Sequence, residues 1–450
     1  MDMPAYNRLA RATMIALVVV PGTSWAGDFA YSVFGSVEHS DNIALSTENP
    51  QSTNVFVPGV NFAYRQVGST LQANVVGTVE YLDYSNKNFD SQLLGTLGAQ
   101  ANWSVIPQRL DFSIEDDAGV QPVDTLASNS PNNEQQTNVL SLGPILHFQF
   151  NGSTRGQAEL KYLNSYASKV DDFDSSRGLG AFRVIRDVNP TTQVSLNVES
   201  QRVDLKNNDA GPDYTRNEFY AHYVHTLRDF DVDASLGWAY IDFTHAPSAS
   251  KPLANVTVGW RPSVDNSFSL TGRYEYSDAA QDMLLQPGQT IVDSMTNVPT
   301  NPLDLINDPT RGGINTGTMV VDSEVYLDQS LEGTYSYRGD RLSITVQPLY
   351  RKLTYLNDTE FNQKEKSGAI SVEYKLRPTL FLSAFANYQH LDYTNIIRTD
   401  KTTRFGLSLS HQFTQRWSWR AAYTRQLRNS TAVQQSYHEN EFLVSLVYHR

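Results

Sequence analysis

The chain contains no cysteine in 450 residues. That single absence excludes a structural disulfide, a thiolate metal site and a cysteine nucleophile. Long apolar runs are also missing. Past the first 26 residues no stretch approaches the roughly 20 apolar residues that a membrane-spanning helix needs, so a helical membrane protein is excluded. Positive charge is in deficit, with 35 Lys and Arg against 48 Asp and Glu and a net charge of -13. A chain so acidic lacks the basic footprint that nucleic-acid phosphates require.

What is present begins with a leader. Arg8 and Arg11 precede an apolar core from Ala12 to Val20, Pro21 and Gly22 break it, and Ser24-Trp25-Ala26 places small residues where a signal peptidase reads. The expectation is a cleaved secretory signal peptide over 1–26 and one mature domain over 27–450. Aromatics make up 11% of the chain and tyrosine alone numbers 24, which suits a surface with two wet–dry boundaries.

From residue 28 onward nearly every segment alternates with period 2. Phe268, Leu270, Gly272, Tyr274 and Tyr276 share one face while Ser269, Thr271, Arg273, Glu275 and Ser277 share the other. Leu71, Ala73, Val75, Gly77, Val79 and Tyr81 oppose Gln72, Asn74, Thr78 and Glu80, and Leu342, Ile344 and Val346 oppose Ser343, Thr345 and Gln347. Soluble sandwiches alternate too, so the connections decide. Short turns, near Val67-Gly68-Ser69, Asn151-Gly152-Ser153, Asn189-Pro190 and Arg338-Gly339-Asp340 among others, alternate strictly with longer polar loops, roughly 41–52, 118–134 and 205–213 among them. This is the asymmetry of periplasmic turns and extracellular loops. The fold expected is an all-β, transmembrane, antiparallel up-and-down β-barrel of about twenty strands, with 18 or 16 as alternatives, in the outer membrane of a Gram-negative bacterium.

That frame singles out particular residues. Trp103, Trp260, Trp417 and Trp419 lie beside short turns and are candidates for the inner aromatic girdle; Trp238 and Tyr240 lie nearer the loop side. Glu159, Lys161, Arg273, Glu275, Glu373, Lys375 and Arg420 are candidates for the lumen, either lining a hydrophilic path or cross-linking the inner wall. Pro58, Pro144 and Pro348 fall inside strand-like runs of a barrel with no free edge and are expected to mark bulges. The long connection at about 279–320 carries prolines together with apolar residues such as Leu284 and Leu285. It is expected either to pack on the mouth or fold into the lumen, or to be a surface loop.

Catalytic patterns are weak. His222 and His225 are the one close histidine pair, but a separation of three puts them on opposite strand faces. Asp171, Asp172 and Asp174, with Asp116 and Asp117, lack the spacing of a calcium loop and read as solvated loop residues. Arg338-Gly339-Asp340 reads as turn chemistry rather than an adhesion signal. The expectation is no catalytic residue, no bound metal, no cofactor and no nucleic-acid partner, with membrane lipid and the barrel-assembly machinery as partners.

The N-terminal third resembles the putative β-barrel porin 2 family, including its outer-membrane members associated with exopolysaccharide biosynthesis and PEP-CTERM systems. The residues that carry the likeness are Glu38-His39-Ser40-Asp41-Asn42, Val57-Pro58-Gly59-Val60, Tyr81-Leu82-Asp83-Tyr84, Trp103 through Leu110, and Glu115-Asp116-Asp117. The resemblance implies a conduit or scaffold in export or surface assembly of a polysaccharide, with the polymer and periplasmic export components as partners. It brings no catalytic residues. A porin for small hydrophilic solutes and a structural or adhesive surface protein are the alternatives.

Overall fold

The computed structural model describes residues 27–207, 210–284, 321–322 and 324–450. The expected leader, 1–26, and residues 285–320 of the expected long connection lie outside the described residues. Twenty strands run in chain order. They are β1 (Asp28–Ser40), β2 (Thr53–Val67), β3 (Leu71–Tyr84), β4 (Gln92–Ile106), β5 (Leu110–Pro122), β6 (Glu134–Asn151) and β7 (Thr154–Ala167). Next come β8 (Ser175–Asn189), β9 (Thr192–Leu205), β10 (Tyr214–Thr226), β11 (Phe230–Phe243), β12 (Ala249–Ser263) and β13 (Asn266–Ser277). The rest are β14 (Tyr326–Arg338), β15 (Leu342–Tyr355), β16 (Gln363–Arg377), β17 (Leu380–Tyr393), β18 (Arg398–Gln412), β19 (Trp417–Ser430) and β20 (Tyr437–His449). A five-residue helix, α1 (Ala279–Met283), comes after β13.

Each strand pairs antiparallel with the next, and β1 pairs with β20 from Ser32 opposite His449 to Ser40 opposite Glu441. The sheet is therefore a closed barrel without a free edge strand, so the strands satisfy their backbone groups against neighbours within the wall. Short turns and long connections alternate around it, with β1 and β20 both open to the short-turn end.

The pleat sorts the side chains opposite to a soluble protein. Leu160, Leu196, Phe219, Leu236 and Trp238 stand on the outer face, each more than half exposed. Ser141, Glu159, Ser195, Asn197, Glu199, Gln201, Arg216 and Glu218 are buried on the inner face. An apolar belt continuous around the wall is far larger than water tolerates on a soluble monomer, whereas a lipid bilayer covers it without cost. The conventional apolar clusters are small and lie at the long-loop end, for example Val55, Val57, Tyr84 and Phe89.

Two expectations need correction. Pro58, Pro144 and Pro348 do not shift the register. Pro144 pairs with Phe112 of β5, and the ladder to β7 resumes in step from Leu142–Tyr162 to Ile145–Glu159. Pro58 and Pro348 behave alike toward β3 and β14. Each imino nitrogen, having no hydrogen to donate, opens the ladder on one side only. Next to Pro144, a Cβ on Gly143 would meet the Leu160 carbonyl oxygen at 1.8 Å, so glycine lets β7 close over the gap. The register shifts occur at the short turns instead, at Ser104/Ile106, Gln149/Asn151, Asp187/Asn189, Trp260/Ser263 and Lys375/Arg377.

The second correction concerns 118–134, expected as loop. Alternation persists through Gly119 and Gln121, and β5 and β6 stay paired up to Pro122 opposite Glu134. β4 accompanies β5 only to Ala118 opposite Leu97, so the hairpin tip leaves the wall. Its connection reaches the opposite rim. Arg428 Nη1 of β19 donates to the Ala127 carbonyl at 3.2 Å, Arg398 of β18 donates to the Leu126 carbonyl, and Ser128 meets Gln435.

Candidate functional site

The segment after β13 shapes the lumen. Strand pairing ends at Ser277, and Asp278, in extended conformation, caps α1 by accepting hydrogen bonds from the backbone N–H groups of Ala280 and Gln281. An acceptor at this position satisfies two of the donors that a helix start leaves open. Small residues then let α1 pack closely. Ala279, Ala280 and Met283 are buried against Val139 of β6, Ala167 of β7, Phe173 and Val321.

Polar contacts pin α1 from two sides. Both Asp278 oxygens accept from Arg177 Nη1 of β8 at 2.8 Å, and the Tyr214 hydroxyl of β10 donates to Asp278 at 3.1 Å. Arg216 of β10 donates to Gln281. On the other side, Asp282 accepts from the Tyr326 hydroxyl of β14 at 2.8 Å and from Arg351 of β15 at 2.9 Å, and Arg351 also holds Asp328 at 2.7 Å. The Arg177 and Asp278 side chains are 2% and 1% exposed, so water offers neither an alternative partner. Burial pushes the Asp278 carboxyl up, but the guanidiniums of Arg177 and Arg216 outweigh it and hold it below the usual carboxylate range.

Below α1 lies a cavity of about 410 Å³, roofed by Gln281 and Leu284 and walled by β3 through β10. Its charges are paired within and across strands. Glu159 takes Lys161 at 2.8 Å and Arg183, Arg183 takes Glu199 at 2.8 Å, and the Tyr220 hydroxyl donates to Glu199 at 2.6 Å. Amides recur along the remaining surface, including Gln72, Gln100, Asn102, Gln157 and Gln201, beside aliphatic Ile114, Ile145, Leu163, Leu179 and Ile185. The Oε1 of buried Gln201 has no hydrogen-bond partner among the described residues. A second hollow of about 580 Å³ lies at the mouth, between the β1–β2 and β5–β6 connections.

The expected lumen residues all fall on the inward register. Glu159 and Lys161 meet in the cavity. Arg273 and Glu275 stand on β13, Glu275 opposite Asp328. Glu373 and Lys375 occupy the short-turn end of β16. Arg420 faces in from β19, opposite Ser410 and Ser445. These residues are spread around the wall rather than gathered. The contacts that hold α1 and pair the cavity charges are made by others, namely Arg177, Arg183, Glu199, Arg216, Asp278, Asp282 and Arg351, which no sequence motif singles out. The signal available for them is their inward register, which a correctly placed strand boundary exposes.

Trp103, Trp260 and Trp417 are exposed beside short turns, at 51%, 50% and 39%, and Trp419 shares the outward register with Trp417. Trp260 stacks on Phe268, and Phe268 on Tyr335, continuing the aromatic band from β12 to β14. Of the two close histidines, His222 faces inward and meets Asp233 at 2.8 Å, and His225 contacts Thr192. The connection after α1 enters described territory again at Val321 and Asp322. Burial, with Glu324, Asp358 and Asp172 nearby, pushes the Asp322 carboxyl up to about 8.

The family described as putative beta-barrel porin 2 matches residues 364–450, the stretch from β16 to β20. It is the family that the N-terminal motifs resemble, matched at the other end of the chain. No curated protein sequence matches. Among solved structures, the FrpB iron transporter of Neisseria meningitidis (F3-3 variant) is similar with TM-score 0.46 and 9% identity, over 94% of this chain and 82% of that one. The outer membrane protein OpdK of Pseudomonas aeruginosa is similar with TM-score 0.38 and 9% identity, over 94% and 98%. A BenF-like porin of Pseudomonas fluorescens Pf-5 is similar with TM-score 0.39 and 9% identity, over 94% and 99%. At these values nothing about cargo carries over. What the chain shares with them is the fold, a closed antiparallel barrel.

Proposed function

We propose that the protein is a passive, non-enzymatic conduit for hydrophilic cargo across the outer membrane, and that its cargo is a polysaccharide being exported or assembled at the cell surface. The observation that carries the conduit is the cavity enclosed by the wall beneath α1, whose polar groups are amides and charges that neutralise one another. Such a lining offers hydrogen bonds in both senses and little net field, which suits hydroxyl-rich molecules better than ions. The polysaccharide assignment rests on what the likeness of the N-terminal motifs implies. Periplasmic export components would then deliver the polymer to the short-turn face.

A small-solute porin is the second reading, favoured by the cavity itself, since about 410 Å³ under a docked helix fits a sugar-sized molecule and not a chain in transit. Two measurements separate them. Deletion of the gene should abolish surface polysaccharide while leaving sugar uptake unchanged. Proteoliposomes that swell in monosaccharides, from a strain whose surface polymer survives the deletion, would instead establish the small-solute porin.

A further inference from the structure

Arginine is distributed unevenly along the barrel axis. Each of the nine short turns has an arginine within four residues: Arg65, Arg109, Arg155, Arg186, Arg228, Arg261, the pair Arg338 and Arg341, Arg377, and Arg416. At the opposite end the arginines are consumed by the fold. Arg177 pairs with Asp278, Arg202 with Asp204 and Asp213, Arg216 with Glu218, and Arg398 and Arg428 share Asp400. At the short-turn end, Arg155, Arg228 and Arg261 also have carboxylate partners, and Arg65 and Arg338 fall on the inward register, with buried Asn61 and Ala63 on β2 and with buried Asp328 on β14. Arg109, Arg186, Arg341, Arg377 and Arg416 differ. They are exposed, and their side chains make no ion pair or hydrogen bond among the described residues.

We propose that these five arginines form a ring that binds the phosphate groups of anionic phospholipid in the leaflet facing the periplasm. Their level is the first argument. Arg416 precedes Trp417, Arg377 follows exposed Leu376, Arg341 precedes outward Leu342, and Arg186 faces outward on β8 two residues before exposed Val188. The aromatic band marks the plane where headgroups lie, so the guanidiniums sit at phosphate depth. Their spread is the second. The turns β4–β5, β8–β9, β14–β15, β16–β17 and β18–β19 lie around the whole circumference, and lipid surrounds a barrel on all sides, whereas a protein partner docks on one. Residue type is the third, because the planar guanidinium grips phosphate oxygens through two parallel hydrogen bonds, which an ammonium cannot match. An acidic barrel would otherwise repel anionic headgroups. The ring reverses that repulsion where the wall meets the inner leaflet.

The inference rests on the outer-membrane reading, and one experiment keeps the two apart. Four of the five tryptophans beyond residue 26, Trp103, Trp260, Trp417 and Trp419, lie at the short-turn end, so brominated lipids report on this plane directly. The full-length protein is reconstituted in phosphatidylcholine vesicles carrying brominated phosphatidylglycerol or brominated phosphatidylcholine. Quenching by both lipids tests the membrane belt; its absence with either would remove the membrane reading itself. The ring predicts about fivefold preferential quenching by the phosphatidylglycerol, reduced to parity in the variant carrying Arg→Gln at all five positions. An Arg→Lys variant at the same five positions guards against a folding defect and should retain only part of the preference. Equal quenching by the two lipids in the wild type, or a preference that survives all five glutamines, would overturn the ring.

Discussion

Arg177 and Asp278, 101 residues apart in the chain, meet inside the barrel in a two-pronged ion pair at 2.8 Å with both side chains almost fully buried. Removing one partner strands the other charge in a place water does not reach, at a cost of about 3–5 kcal/mol. Asp278→Ala should therefore undock α1 and raise single-channel conductance in planar bilayers. Replacing both residues together, Arg177→Met with Asp278→Leu, leaves no orphan charge and should return conductance toward the wild-type level. A conductance indifferent to Asp278→Ala would show that α1 does not set the throat.

The cavity's neutrality depends on Arg183, which faces Glu159 and Glu199 at once. Arg183→Met should turn the pore toward cations, and Glu199→Gln toward anions. A bias of about 1 kcal/mol for a unit charge near the path corresponds to about a fivefold change in permeability ratio. Reversal potentials across a potassium chloride gradient measure it, and shifts of the same sign in both variants would contradict the pairing.

Docking of the connection should depend on pH in two opposite ways. Asp322 has a raised folded value, about 8, against 3.8 when unfolded. Folded protein then holds the extra proton between those values, so its contribution is full below about 4 and is lost as pH rises through 8. Asp278 is depressed, so its contribution is present above about 4 and is lost as pH falls below that. Val321, next to Asp322, packs on α1. Conductance should rise as pH climbs from 5 to about 9, and Asp322→Asn should flatten that rise. Persistence of the full rise in Asp322→Asn would remove Asp322 as its source.

The membrane belt predicts a contrast between neighbours on β11. Leu236, outward and 57% exposed, should tolerate arginine poorly, losing about 2–4 kcal/mol if it lies near the bilayer midplane. Ser235, its inward neighbour opposite His222 and Asn255, should lose less. Urea titration of the barrel folded into lipid vesicles, followed by tryptophan fluorescence, compares them; equal losses would argue against the assigned faces.

Because the chain has no cysteine, single-cysteine labelling reads topology without background. Ile397 and Val433, at the tips of long connections, are almost fully exposed, and so is Val264 in a short turn. An impermeant thiol reagent on intact cells should label cysteine at 397 and 433 and spare cysteine at 264. Labelling at all three would invert or abolish the orientation.

Much of the wall is legible from pattern because a strand between lipid and water must alternate one residue at a time. Phe268, Leu270, Ser269 and Thr271 declare their faces with no knowledge of neighbours. The tips of β5 and β6 are less legible. Whether a run ending in Gly119-Val120-Gln121 stays paired depends on a partner strand, here residues 134–137. The effect of Pro144 is hidden for the same kind of reason. Whether a proline shifts a ladder or merely opens it depends on how closely the next strand approaches, and Gly143 permits that approach without a register shift.

Local periodicity and turn chemistry are enough to specify a closed antiparallel barrel, its inner and outer faces, and the end on which the turns are short, because each of these is written within a few neighbouring residues. The throat is a matter of three-dimensional closure. α1 is five residues long and could not hold its shape alone; it exists because Arg177, Tyr214, Arg216, Tyr326 and Arg351 converge on it from four strands. No local pattern announces that convergence, since each of those residues is an ordinary inward-facing position until closure of the barrel brings them within hydrogen-bonding distance.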